Sequence, residues 1–393
     1  MAGDALSAQI LEFVRSQKAQ LIDVLGRLVS AESPSANPET HDAVRLVLCS
    51  ALHELDFETR LVGQDSMNRH IYARQRVRRK PAGSQLLIGH YDTVWPVGTV
   101  NDRPFTVEDN IARGPGVFDM KGGLAQMLVA LAAVRHVGVE PPLAPVIFVN
   151  ADEEIGSRTS TRYVRLLARH AKRAFVLEPA MGEDGVIKTE RKGIGRFTVT
   201  VYGKAAHAGL DPEAGASAIL ELSHVIQKLF ALNDAANGIS VNVGTVNGGI
   251  QPNVIAPHST AVVDVRVPTV AGGRAIEKAI ASITPQTPDV KVHIEGRIGR
   301  PSMEATSRNI RLWQQALKLG ASLGLDLKQG RAGGASDGNT TSQFTATLDG
   351  LGAVGDGAHA EREFLYIDRT LERAALLASL LLSPDISGEE QSR

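Results

Sequence analysis

His90 and Asp92 stand two residues apart at the end of an apolar run, QLLIG, that reads as a buried strand. Side chains at i and i+2 of a strand share a face, so Asp92 can accept the free ring N–H of a metal-bound His90 and fix its tautomer. The segment that holds them, GHYDTVWPVG, opens a spaced series that packing alone does not require. It continues with Asp119 in RGPGVFDMKGG, Glu153 and Glu154 in VIFVNADEEIGS, Glu178 in AFVLEPAMG and His359 in GDGAHAERE. Two imidazoles and three carboxylates, each at the end of a strand or in the loop after it, suit zinc, which takes His nitrogen and carboxylate oxygen. In isolation an Asp-Glu-Glu triplet is a solvated loop and His359 a loop histidine. Their setting after apolar or glycine-rich segments, with partner motifs in order, makes them a set. The remaining histidines, His170, His224, His258 and His293 among them, have no such setting.

In this order the segments resemble the M20 family of di-zinc peptidases and amide hydrolases, and within it the glutamate carboxypeptidase, or carboxypeptidase G type, subgroup. The likeness runs from about residue 85 to the C-terminus, and the residues before it add a compatible helical lead-in. The resemblance implies that His90 and Glu178 bind different zinc ions, along with Glu154 and His359, while Asp119 bridges both. It makes Glu153 the general base and Asp119-Met120 a cis peptide. Glutamate at the position of Glu178 is usual in the family's carboxypeptidases and acyl-amino-acid hydrolases, whereas tripeptidase-like aminopeptidases tend to carry aspartate.

Charge supports two metals independently. Asp119, Glu154 and Glu178 bring three negative charges to one place, with Asp92 and Glu153 close by. Like charges this near raise each other's pKa and cannot all stay ionised without a cation. Two zinc ions offset three ligand carboxylates, acidify water and polarise a scissile carbonyl. Glu153, next to a ligand but directed at the water, is then placed to take a proton and return it to the leaving amine. Co2+ and Mn2+ accept the same donors.

Within TAVVDVRVP, alternation puts Val263, Val265 and Val267 on one face and Asp264 and Arg266 on the other. Read alone, this is a solvent face with an Asp–Arg pair. The resemblance assigns Arg266 to the substrate's carboxylate, which bidentate guanidinium recognition suits, and Asn253 in GGIQPNVIAP fits the same pattern. It makes His207 in GKAAHAG a lid histidine that is donated to the partner subunit's site, where it steadies the tetrahedral oxyanion. Gly334 in GGASDGNTT matches a loop lining the carboxylate pocket, although a plain surface turn reads almost as well. The glutamate carboxypeptidase pattern has a lysine where this chain has Val186, with Lys188, Arg191 and Lys192 only nearby. An N-acyl-amino-acid deacylase or a dipeptidase with a non-glutamate substrate is therefore the alternative. A non-catalytic M20-like binding protein is a further one, whose mark would be a lost ligand, and none is lost here.

With 393 residues the chain exceeds the size of a single ordinary core, so two domains are expected. Its 42 basic and 43 acidic residues nearly cancel and give no reason to invoke nucleic acid or an anionic membrane. The basic run Arg74–Lys80 reads as a solvated strand-to-loop edge. Cys49 is the only cysteine, which excludes an intrachain disulfide and fits a reducing compartment. The N-terminus lacks the unbroken apolar core of a signal peptide, and no stretch reads as a membrane span, so a cytoplasmic location is expected, or a periplasmic one if a leader has been trimmed.

Residues 1–192 alternate helical and strand patterns, which predicts an α/β layer structure whose central, mostly parallel sheet carries helices on both faces and ligands at strand C-termini. Between 193 and 299 the pattern becomes β-α-β-β-α-β, the ferredoxin-like split unit. Residues 300–393 return to long helices. A catalytic domain of 1–192 and 300–393 thus holds an inserted α+β domain, which the resemblance makes the lid and homodimerisation domain. The expected substrate is a small acyl-amino acid or short peptide.

Overall fold

The computed structural model describes residues 2–63, 69–76 and 83–386. The chain forms two compact units: Met1–Thr189, Ala305–Arg331 and Ser336–Arg393 make the first, and Glu190–Glu304 with Ala332–Ala335 make the second.

The first unit is built on a six-stranded sheet in the order Phe57–Val62, His70–Gln75, Ala144–Asn150, Ser84–His90, Ala171–Val176, Ala346–Leu348. The last four run parallel, His70–Gln75 is antiparallel to both its neighbours, and Phe57–Val62 at the edge therefore runs with the last four. Every residue of Ser84–His90 except Ser84 is buried, as expected of a central parallel strand covered on both faces. Alternation then divides its side chains. Leu87 joins a large core with Phe175, Leu124, Leu128 and Leu377, while Leu86 and Ile88 join Phe148, Val164 and Val176 in a smaller one. Helices Gly122–His136 and Ile367–Leu382 supply the first layer and Thr161–His170 the second, so helices cover both faces.

The run Val117–His136 is long and apolar enough to cross a membrane by length and composition, contrary to the sequence expectation. It lies 89% buried inside the fold, and its apolar surface is accounted for by the core. The basic run begins on a strand, where Arg74 bonds Glu58 of the neighbouring strand at 3.0 Å, while Val77–Lys80 lie outside the described residues.

A small antiparallel sheet of the first unit pairs Gly355–Asp356 with Phe364–Tyr366, and the latter with Ile111–Arg113. It brings the loop carrying His359 beside the loop that leads to Asp119. The second unit is a four-stranded antiparallel sheet in the order Ser240–Gly248, His258–Val267, Gly193–Tyr202, Lys291–Arg300, with helices Ala218–Phe230 and Val270–Ala281. Its core draws Val199 and Val201 from one strand and Val263, Val265 and Val267 from the next, the face that alternation indicates.

Candidate metal centre

Three parallel strands end on one side, and that is where the acidic and imidazole groups collect. His90 closes its strand opposite Asn150 and is buried. Its Nδ1 lies 2.9 Å from the main-chain oxygen of Asp92, which can only accept, so Nδ1 carries the proton and Nε2 is free to bind a ligand. This modifies the sequence expectation, because the Asp92 carboxylate stands farther off at 3.5 Å. The chain turns as it leaves the strand and presents the carbonyl instead. The carboxylate of Asp92 grips the next loop: Oδ1 accepts the Glu153 N–H at 3.1 Å, and Oδ2 accepts the Glu154 N–H at 3.2 Å and the Ser35 hydroxyl at 2.7 Å.

Asp119 lies between two His–Glu pairs. Its Oδ1 is 3.4 Å from His90 Nε2, which is itself 3.5 Å from Glu178 Oε1. Its Oδ2 is 3.5 Å from His359 Nε2, which is itself 3.0 Å from Glu154 Oε2. His90 and Glu178 therefore share one half of the centre, not two, which corrects the assignment carried over from the resemblance. The reason is sheet order: Ser84–His90 and Ala171–Val176 are hydrogen-bonded neighbours, so their ends deliver both side chains to one place. Ligand atoms of His90, Asp119 and Glu154 fall within 4.8 Å of one another, as do those of His90, Glu153 and Glu178, so Glu153 also reaches the centre.

Backbone packing fixes Glu178. A Cβ at Gly123 or at Gly352 would lie 2.1 Å from the carbonyl oxygen of Leu177, and the Gly352 N–H donates to the Glu178 oxygen at 2.9 Å. Only glycine lets the helix start and the following loop approach the strand end this closely. Asp119-Met120 is a cis peptide, as expected. His359 sits at φ 61°, in the left-handed region, within the loop between Asp356 and Phe364.

The electrostatics suit cations. Burial pushes the Glu154 carboxyl up to about 7, and the charge of Asp119 adds to this against the pull of His359. Burial pulls His90 down, but Asp119, Asp92 and Glu178 outweigh it and hold the imidazole well above its usual range. The bond to Glu154 lifts His359 to about 9. Asp119 Oδ1 and Glu154 Oε1 are buried without a hydrogen-bond partner. Buried polar atoms of native proteins are nearly always satisfied, so two orphaned carboxylate oxygens on residues that pair with imidazoles fit metal ligation.

The second unit holds the other expected residues. His207 is exposed, and its Nδ1 accepts the N–H groups of Gly209 and Leu210, each at 3.1 Å, which leaves Nε2 as the donor. The Asn253 carbonyl accepts the Ala208 N–H at 3.0 Å, so Asn253 and His207 lie on paired segments. Arg266 bonds Asp264 in bidentate fashion at 2.7 and 3.2 Å, the pair that strand alternation foresees. The Gly334 carbonyl accepts from Arg191 Nη1 at 3.1 Å.

Residues 86–383 match peptidase family M20/M25/M40. The chain belongs to that family. It is thus an M20 metallopeptidase, a hydrolase. It is 27% identical to carboxypeptidase G2 of Pseudomonas sp. (strain RS-16) over 97% of this chain and 94% of that protein. Aminopeptidase PepT from Bacillus cereus shares the fold with a TM-score of 0.71 at 19% identity, covering 95% of this chain and 98% of the other. So does the Bacillus subtilis YXEP protein, a dinuclear metal binding peptidase from the M20 family, with a TM-score of 0.66 at 15% identity over 94% and 98%.

Sequence reasoning passed over the residues that hold the M20 centre from behind. Asp152 accepts from the Thr159 N–H and hydroxyl at 2.6 and 2.8 Å and from the Ser160 N–H, pinning the far side of the Glu153–Glu154 loop. Asp337, in the GGASDGNTT motif, bonds Ser157 at 2.7 Å and also Asn150. Glu363, four residues after His359, accepts the Asp119 N–H at 2.9 Å. Its only advance signal was a second acidic residue beside the histidine in AHAERE.

Proposed function

We propose that this M20 hydrolase is a two-zinc, glutamate carboxypeptidase-like enzyme that cleaves the amide bond to a C-terminal amino acid bearing a free α-carboxylate. One observation carries the reading: the two oxygens of Asp119 face separate His–Glu pairs, with Glu153 at the His90–Glu178 side. The similarity to carboxypeptidase G2 along nearly the whole chain, and glutamate at 178, support the carboxypeptidase class.

His90, Glu178 and Oδ1 of Asp119 would hold one ion, and His359, Glu154 and Oδ2 the other. When bound, the pair supplies the positive charge that makes water acidic and polarises the scissile carbonyl. Glu153 takes the proton of the attacking water and passes it to the leaving amine. Asp92 and Ser35 hold the amides of Glu153 and Glu154, which keeps base and ligand in register. His207, with Nδ1 occupied as an acceptor, would be donated to the partner subunit's site and offer Nε2–H to the oxyanion developing there. Arg266 recognises the α-carboxylate, aided by Asn253 and the open backbone at Gly334, where an added Cβ would meet nothing within 4 Å. Zinc fits the donor set, and Co2+ or Mn2+ would occupy the same positions.

A specific observation favours a second reading, a dipeptidase or N-acyl-amino-acid deacylase with a non-glutamate substrate. Val186, where the subgroup has lysine, is an apolar residue in a backbone bridge with Met181. The test is hydrolysis of a panel of N-acyl-glutamate, folate, N-acetyl amino acids and neutral dipeptides, each beside its C-terminal amide. Cleavage of acyl-glutamates with rejection of the amides is expected. Activity on the other acyl-amino acids moves the substrate, and equal cleavage of the amides contradicts carboxylate recognition.

A further inference from the structure

We propose that Glu363 is a positioning residue that sets the spacing between His359 and Asp119 and so governs the second ion of the centre; the proposal rests on the two-ion reading above. Glu363 is 2% exposed, yet no cation is among its hydrogen-bond partners in the described structure. Both its oxygens are fully used. Oε2 accepts the Trp95 indole N–H at 2.9 Å and the Gly116 N–H at 2.8 Å, and Oε1 accepts the Phe118 and Asp119 N–H groups, each at 2.9 Å. The buried ammonium of Lys121 donates at 3.0 Å to the Ala31 carbonyl. A buried carboxylate is costly unless such bonds replace its water, so the loop Gly116–Asp119 and the carboxylate hold each other.

Chain position turns this into a statement about ligands. Glu363 closes the turn that carries His359, with Ala360 N–H bonded to Gly357 at 2.8 Å and Glu363 N–H to Ala360 at 3.0 Å. The next residue, Phe364, pairs with Arg113, just before the Gly116–Asp119 loop. One carboxylate thus fastens the segment bearing His359 to the main chain of Asp119. His90 and Glu178 need no such fastening, because one ends a central strand and the other follows its hydrogen-bonded neighbour. The two halves of the centre therefore depend on Glu363 unequally. The half formed by His359 and Glu154 relies on a loop position that this carboxylate fixes.

Glu363→Gln separates this from a general role in folding. It keeps the shape but points an amide NH2 at two N–H donors. Zinc titration of the metal-free protein, followed by calorimetry, should show two ions binding to the wild type. In Glu363→Gln the first ion should bind within about threefold of the wild type, while the second weakens roughly 10–100-fold, the usual effect of losing a group that orients a ligand. Equal weakening of both ions, or of neither, overturns the proposal. A wild type that binds only one ion instead overturns the two-ion reading. Should Glu363→Gln fail to fold, Trp95→Phe decides: it removes one donor and keeps the carboxylate. A smaller weakening confined to the second ion is then expected, and unchanged binding of that ion overturns the proposal.

Discussion

Asp119 and Glu153 divide the chemistry at the scale of single residues. Asp119 faces both imidazoles, at 3.4 and 3.5 Å, and has an oxygen without a hydrogen bond, so it belongs with the ions. Glu153 comes within reach of the same centre, and its amide is tied back to Asp92. Glu153→Ala should therefore retain zinc near the wild-type level while turnover falls roughly 10²–10⁴-fold, the range typical for losing a general base. Near-normal turnover, or parallel loss of zinc, would remove Glu153 from that role. The residue types of the centre were legible because each sits in a short motif beside an apolar strand or a glycine-rich segment. Their grouping was not. That His90 shares its half with Glu178 follows from which strands are neighbours, and that the Asp92 carbonyl accepts the imidazole N–H follows from a turn of the main chain. Neither fact has a signature in residue order.

Elements deliver these groups by ending at the right height. Leu177 and Glu178 continue a parallel strand into a space so narrow that Gly123 and Gly352 touch the same carbonyl. In Gly352→Ala the new methyl would stand 2.1 Å from the Leu177 oxygen and 2.8 Å from that of Glu178. The backbone must shift, at a cost of about 1–3 kcal/mol as in other overpacked sites, and Glu178 must shift with it. Denaturant unfolding should show that loss and zinc titration a weaker first ion; unchanged values in both would mean that the approach is not constrained. Hydrophobic periodicity made the strands around His90, Ala144–Asn150 and Ala171–Val176 readable, and likewise the β-α-β-β-α-β order of the second unit. It missed His70–Gln75, an antiparallel strand whose sequence HIYARQ merges into the basic run. It does indicate a helix from Lys121 to about Val137, found at Gly122–His136, but no single buried face for it, because burial on all faces erases the helical period.

For the whole molecule, the M20 family and an α/β fold with a separate antiparallel domain stand on the comparisons and the sheet topology. Assembly is our inference. The second unit exposes Ile219, Leu220, Val246 and Ile250, each at 48% or more, on a helix, an edge strand and the turn after it. Apolar groups so placed are suited to a partner copy. Sedimentation should show a dimer that Ile219→Glu with Ile250→Glu converts to monomer; a wild-type monomer at micromolar concentration would contradict this. The central claim is the pair of ions, and it is tested most directly by titrating zinc into metal-free protein while following hydrolysis of the best substrate. The account predicts about two zinc per chain, with activity restored as the second ion binds. Saturation at one ion with full activity, or turnover in protein freed of metal, would contradict it.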